Sequence, residues 1–214
     1  MEHKAVIVAG GWEGHQPTVT AKILADVLQE HDVQVEYMEA LEELNVAERL
    51  NVDLIVMNWT MGHIPDNALE NLLDAVQAGV GIAGLHGGMG DAFRDQPAYQ
   101  YMVGGQWVAH PGDDGVAYRV HIVDHESPIT RGLNDFDVVS EQYYMHVDPA
   151  IHVLATTTFP QAEMPVAWTT RYGAGRVFYC SLGHSPNIVR MEPVLTMMER
   201  GMMWALRQRE VNPE

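Results

Sequence analysis

Eleven histidines stand in this chain of 214 residues, and several directly follow short apolar runs. After residues 4–9 come Gly10 and Gly11, then Trp12, Glu13 and His15. After residues 53–58 come Trp59 and His63, and residues 80–85 lead straight into His86-Gly87-Gly88. Residues 177–181 lead through Leu182 and Gly183 into His184-Ser185-Pro186. Imidazole is the side chain best suited to act as acid, base or metal ligand near neutral pH. If each run is a strand of an open parallel sheet, the residues past its carboxyl end face a shared ligand crevice. Four separate stretches are therefore expected to bring imidazoles to one edge.

The segment Gly84-Leu85-His86-Gly87-Gly88 has the form of a strained strand-to-helix elbow, with a glycine two residues to each side of the central residue. Small neighbours let the backbone bend sharply and present one side chain to a pocket. Here that side chain is His86, which suits a general base, a metal ligand or a hydrogen-bond donor better than a covalent nucleophile. Glycines after a buried strand also serve plain close packing.

These residues need a frame, and the apolar runs supply one. Strands over residues 4–9, 33–38, 53–58 and 80–85 alternate with helices over residues 17–30, 46–50 and 66–77. That order is the signature of a parallel sheet covered on both faces. A further helix is expected over residues 97–103, ended by Gly104-Gly105. From Val116 the rhythm changes to strands over residues 117–123, 138–139, 153–158, 166–170 and 177–181. Tyr172-Gly173-Ala174-Gly175 reads as a tight hairpin. A last helix over residues 193–207 closes the chain. The expected architecture is one α/β domain over residues 1–208. It would be a flavodoxin-like three-layer sandwich with a mainly parallel central sheet and extra antiparallel strands, ahead of a polar tail at 209–214.

Composition narrows what such a crevice would hold. Twelve Lys and Arg against 29 Asp and Glu give a formal charge of −17. That sign repels phosphate backbones and anionic lipids, so neither nucleic acid nor a membrane surface is an expected partner. With 47% hydrophobic residues the chain is long enough to build a core without disulfides. Its single cysteine, Cys180, forms no intrachain bridge and gives no sign of an oxidising compartment. No apolar run approaches the length of a membrane span, and the first residues lack a signal-like apolar core, so a cytoplasmic location is expected. Neither Gly10-Gly11 nor Gly87-Gly88 completes a phosphate-binding loop, and no nucleotide or flavin is expected.

Several motifs in order resemble the ThuA-like trehalose-utilisation family, which is related in fold to class I glutamine amidotransferases. They are Gly14-His15-Gln16-Pro17, the elbow 84–88, the run Gly104-Gly105-Gln106-Trp107-Val108-Ala109-His110-Pro111, the run from Asp124 to Leu133, and Ser140-Glu141-Gln142-Tyr143-Tyr144. The resemblance extends from about His3 to Pro186 and implies a role in the catabolism of disaccharides or their keto-derivatives. It also implies an amidotransferase-like sandwich without amidotransferase activity. Those enzymes carry an elbow cysteine and a His-Pro-Glu near the C-terminus, where this chain has His86 and His184-Ser185-Pro186. Without an elbow thiolate glutamine hydrolysis has no nucleophile.

Two chemistries are open for this residue set. In one, His15, His86 and His184, with Glu141 as a further ligand, hold one divalent ion, zinc or manganese, which polarises a carbonyl or activates water. In the other, His86, His184 and Glu141 form a metal-free acid–base set for hydrolysis or isomerisation of a keto-sugar. Trp59, His110 and Tyr143 are the expected substrate contacts, Trp59 ranking ahead of Trp12 and Trp107 because it directly follows a strand. A non-catalytic sugar-binding or accessory protein with the same pocket is the alternative. His3, His31, His121, His125 and His152 read as surface or structural. Met197, Met198, Met202 and Met203 on the last helix suit core packing or a subunit contact, which leaves a homo-oligomer open.

Overall fold

The computed structural model describes residues 3–207; the expected tail at 209–214 lies outside them. The chain opens with β1 (His3–Gly11), α1 (Pro17–Glu30), β2 (Val33–Met38), β3 (Leu54–Thr60), α2 (Asp66–Gln77) and β4 (Gly81–Leu85). A five-residue helix α3 (His86–Gly90) follows β4 without a break, then α4 (Pro97–Val103). The remainder comprises β5 (Gly105–Ala109), β6 (Val116–Ile122), β7 (Phe136–Ser140), β8 (Tyr144–Val147), β9 (His152–Thr158), β10 (Glu163–Tyr172), β11 (Gly175–Cys180), α5 (Pro186–Val189) and α6 (Glu192–Ala205).

Nine strands form one sheet in the order β2-β1-β3-β4-β11-β10-β9-β6-β7. The half from β2 to β11 is parallel, in the strand order of a doubly wound flavodoxin-like sheet. Beyond β11 each neighbour is antiparallel. β5 and β8 pair separately as a two-stranded antiparallel ribbon.

Alternation along the strands sorts side chains to two cores. Ala5, Ile7 and Ala9 of β1 face α1 and α6, while Val6 and Val8 face the side covered by α2 and α4. Burying each Ile or Val of this kind contributes about 1.5–3 kcal/mol, and both faces of β1, β3 and β4 are used in this way. Pro17 starts α1 after Gln16 adopts a left-handed conformation, φ 50°, and Ala21, Leu24, Ala25 and Leu28 then recur on the buried face. On α6 the methionines Met197, Met198 and Met202 are fully buried beside the sheet, so these side chains are core.

Most expected elements are present with their ends moved by a few residues. The short helix expected over 46–50 is a pair of 3₁₀ turns, Leu41–Asn45 and Ala47–Leu50. The two-residue strand at 138–139 extends to Phe136–Ser140 because it pairs with β6 along its length. β5, β8 and α5 were not expected. The segment before His110-Pro111 is strand β5, held by β8. No helix among the described residues is long and apolar enough to cross a membrane.

Candidate active site

Five strand ends build the site. β1 ends at Gly11, and a 3₁₀ turn over Glu13–His15 turns His15 back over the end of β3. There its Nδ1 sits 2.9 Å from the Oγ1 of Thr60, the last residue of β3. β4 runs directly into His86, whose φ of 44° lies in the left-handed region. For a residue with a β-carbon this is a strained conformation, of the kind that persists at functional turns. Tyr179 on β11 helps hold it, its hydroxyl donating to the His86 carbonyl at 3.0 Å. His184 follows β11, and Glu141 follows β7, where the Tyr118 hydroxyl donates to its carbonyl at 2.9 Å.

These four side chains converge. One donor atom from each of His15, His86, Glu141 and His184 can be chosen so that all lie within 4.8 Å of one another. The His15 and His86 ring centroids are 4.7 Å apart, and those of His15 and His184 5.2 Å. Residues from positions 15 to 184 thus meet at one point, as the strand ends require.

Hydrogen bonding fixes the direction of the His86 ring. His86 Nδ1 lies 2.8 Å from the Ser181 carbonyl, which only accepts, so Nδ1 carries the proton and donates. His86 Nε2 then faces two groups at 3.0 Å, the Tyr143 hydroxyl and Glu141 Oε2. The hydroxyl can donate to a ring lone pair, whereas a carboxylate cannot. A nitrogen lone pair and a carboxylate oxygen in contact are stable only with a proton or a cation between or beside them. His184 Nδ1 stands 3.4 Å from Glu141 Oε1 as an ion-pair contact and is a buried atom without a hydrogen-bond partner. His110 Nδ1 is similarly orphaned, 3.8 Å from the same oxygen.

Burial sets the titration of the rings. It pushes His15 down to about 3, with repulsion from His86 and His184 adding to the effect. Burial also lowers His86, against the hydrogen bond with Glu141. His184 is raised, chiefly by its contact with the Glu141 carboxylate. For Glu141 burial acts upward, but contacts with His184 and His86 outweigh it and hold the carboxyl well below the usual range. The cluster thus sets a carboxylate against two rings that resist protonation, His15 and His86, and one, His184, that takes a proton more readily.

Donor chemistry fits a divalent ion. Three imidazoles and one carboxylate are borderline ligands suited to a first-row metal. The Nδ1–H to carbonyl bond of His86 is the usual outer support for a ligating Nε2. A tetrahedral ion with bonds of about 2.1 Å sets its ligand atoms about 3.4 Å apart, so the cluster needs only a modest contraction.

Above the cluster opens a cleft of about 440 Å³, lined among others by Trp12, Thr60, Trp107, His110, Tyr143 and His184. His86 is 1% exposed and lies beneath its floor. His110 and Tyr143 therefore line the cleft as expected, but Trp59 does not. Asn58 and Thr60 point to the site side of β3, donating to the Pro17 carbonyl and contacting His15. The period of two sends Trp59 to the other face. Its ring packs over Gly10, where a β-carbon would come within 2.4 Å of it. Trp12 takes the place intended for Trp59, at 46% exposure and edge-on to His15, with ring centroids 4.6 Å apart.

Sequence reasoning also missed Asp91 and Arg94, which line the cleft just after α3. Arg94 grips the buried Asp91 carboxylate through Nε at 2.6 Å and Nη2 at 2.8 Å. Its guanidinium lies 4.5 Å from the Trp107 ring centroid. The spacing of three residues after the elbow was the one available sign, and it is a common spacing. Cys180, by contrast, is fully buried in β11, and burial pushes its thiol up to about 12, too high for a nucleophile.

Fold and cleft together define a flavodoxin-like α/β sandwich whose strand ends carry a three-histidine, one-glutamate cluster. The family model described as ThuA, trehalose utilisation, matches residues 4–205, and the chain belongs to that family. A protein described as ThuA-like from Parabacteroides merdae shares 18% identity and a TM-score of 0.79, over 98% of this chain and 93% of that one. Another from Bacteroides uniformis gives 16% and 0.76, over 95% and 91%. A cytoplasmic protein from Salmonella typhimurium gives 16% and 0.73, over 95% of this chain and all of that one. These likenesses establish the fold. No curated protein matches the sequence.

Proposed function

We propose that this protein is a metal-dependent enzyme of carbohydrate catabolism, acting on a disaccharide or keto-sugar by hydrolysis or isomerisation. One observation carries the metal: the His86 Nε2 lone pair faces the Glu141 carboxylate at 3.0 Å, an arrangement that a divalent cation stabilises. His15, His86, Glu141 and His184 would hold it. Zinc or manganese, when bound, polarises a carbonyl or hydroxyl oxygen as a Lewis acid.

The remaining chemistry belongs to the chain. Burial keeps the Tyr143 hydroxyl protonated well past neutral pH. With the His86 Nε2 lone pair taken by the ion, its one O–H would be released from His86 to donate to a sugar oxygen at the cleft floor. His110 is half-exposed in the cleft with its buried Nδ1 turned toward Asp113 and Glu141, so its Nε2 would be the atom that accepts or returns a proton at a substrate hydroxyl. The aromatic walls and the carboxylates of the cleft suit a ring with apolar faces and a hydroxyl rim. Membership in a trehalose-utilisation family supports the sugar.

Metal analysis of gently purified protein tests this reading. About one zinc or manganese ion per chain is expected, with His86→Ala losing it, and turnover of a keto-sugar panel should disappear with the ion. A protein that neither carries nor takes up a divalent ion would sink the metal centre. Metal-loaded protein that binds sugars without turning any over would leave a binding protein.

A further inference from the structure

Resting on the carbohydrate reading above, we infer that Trp12 and the Asp91–Arg94 pair form the saccharide grip. They would select a neutral, unphosphorylated sugar, with Trp12 stacking on a ring face and Arg94 binding hydroxyls away from the metal cluster.

Three observations support the grip. First, of the two tryptophans in the cleft, only Trp12 offers a free face. It is 46% exposed, whereas the Trp107 ring is half-buried and carries the Arg94 guanidinium. Second, the hydrogen bonds to Asp91 use Nε and Nη2 of Arg94, which leaves Nη1 with two N–H donors and no protein acceptor among the described residues. The side chain is 53% exposed in the cleft, although its far partner Asp91 is buried. A planar donor fixed at a known angle by a buried carboxylate recognises adjacent hydroxyls well.

Third, the charge balance disfavours anions. Asp91 neutralises Arg94, and with the proposed divalent ion set against Glu141 the carboxylates of Asp113 and Asp114 still leave the cleft lining negative. A phosphorylated or carboxylated sugar would meet this surface on a chain of −17.

Spacing is also set by the fold. His86 begins α3 and Asp91 follows its last residue, so one short helix separates cluster and grip by about 7 Å at 1.5 Å per residue. Arg94 lines the same cleft as His15, Glu141 and His184, so one bound ligand would meet both.

Calorimetric titration of the full-length protein with trehalose and with trehalose 6-phosphate tests the inference, with metal content measured on the same samples. Affinity for trehalose should fall at least tenfold in Trp12→Ala and in Arg94→Gln, and stay within about threefold in Trp12→Phe. The phosphate ester should bind at least tenfold more weakly than trehalose. Trp12 is exposed, and circular dichroism checks the fold of each variant. Where Arg94→Gln unsettles the buried Asp91 carboxylate, Arg94→Lys keeps the charge beside it, loses the fork of donors, and should show the same tenfold fall. Unchanged titrations in Trp12→Ala and Arg94→Gln would overturn the grip and leave the enzyme reading intact. So would tighter binding of the phosphate ester. Metal-loaded protein that ignores both sugars would overturn the grip while the metal centre stands. Metal-free protein that binds trehalose through Trp12 and Arg94 would keep the grip and remove the metal.

Discussion

At the scale of single residues, burial decides more than charge. His15 and His86 both resist protonation in the folded chain because they are buried. An unfolded chain takes up protons there from the ordinary value of 6.5 downwards, so their share of stability is present above 6.5 and declines as pH falls towards 3. Glu141, held low, adds stability above its ordinary 4.5 that is also lost on acidification. His184 is raised and acts in the other direction, its contribution fading as pH rises through its folded value. Acid loss should dominate in the metal-stripped protein. The melting temperature after chelation is expected to drop between pH 7 and pH 5, and His15→Gln should flatten that limb. A pH-independent melting temperature would contradict the burial of these rings.

Residue type and position carried most of the cluster into the sequence reading. His15, His86 and His184 converge because the carboxyl ends of parallel strands share an edge, whereas His63, three residues past β3, is exposed and pairs with Asp95 instead. Glu141 could be placed only through its neighbours in a family-like run, since it follows a strand from the antiparallel half. Trp59 failed for a simple reason. Standing next to a strand end does not fix which face a side chain takes, and one step along β3 reverses it. Arg94 and Asp91 carry no pattern that separates them from an ordinary surface pair.

Among the elements, α3 has the narrowest tolerance. A β-carbon on Gly87 would come within 2.7 Å of His15 Cε1 and 3.0 Å of Thr60 Cγ2. The His15 ring is pinned by Thr60, so it has to leave the cluster rather than slide. Gly87→Ala is expected to weaken divalent-ion binding at least tenfold, read by titration of the stripped protein, while circular dichroism stays that of the wild type. Unaltered metal affinity would show that His15 is dispensable as a ligand. The parallel half of the sheet was legible because its strands are apolar throughout and its helices amphipathic. β5 and β8 were not, because each is four or five residues of mixed burial whose pairing depends on the other.

For the whole molecule, stability and site should separate. Gly201 on α6 lies against Phe178 of β11, and a β-carbon there would approach the ring within 2.1 Å. Overpacking of this kind costs about 1–3 kcal/mol, a fall of roughly 2–12 °C in Tm for a chain of this size. Gly201→Ala should therefore melt earlier and still bind its metal with unchanged stoichiometry below the transition. Loss of the ion in step with the packing defect would mean that the α6 layer, on the far side of the sheet, sets the cluster geometry.

Strand order has a consequence for how the protein comes off the ribosome. β4, buried on both faces, has β3 on one side, but its other neighbour is β11, which begins only at Gly175. For on the order of ten seconds at ordinary synthesis rates, the nascent chain carries an apolar strand with an open edge. A released fragment ending before Gly175 should aggregate, seen as sedimentation with low chaperone levels, and chaperone capture should peak while β5 to β10 are being made.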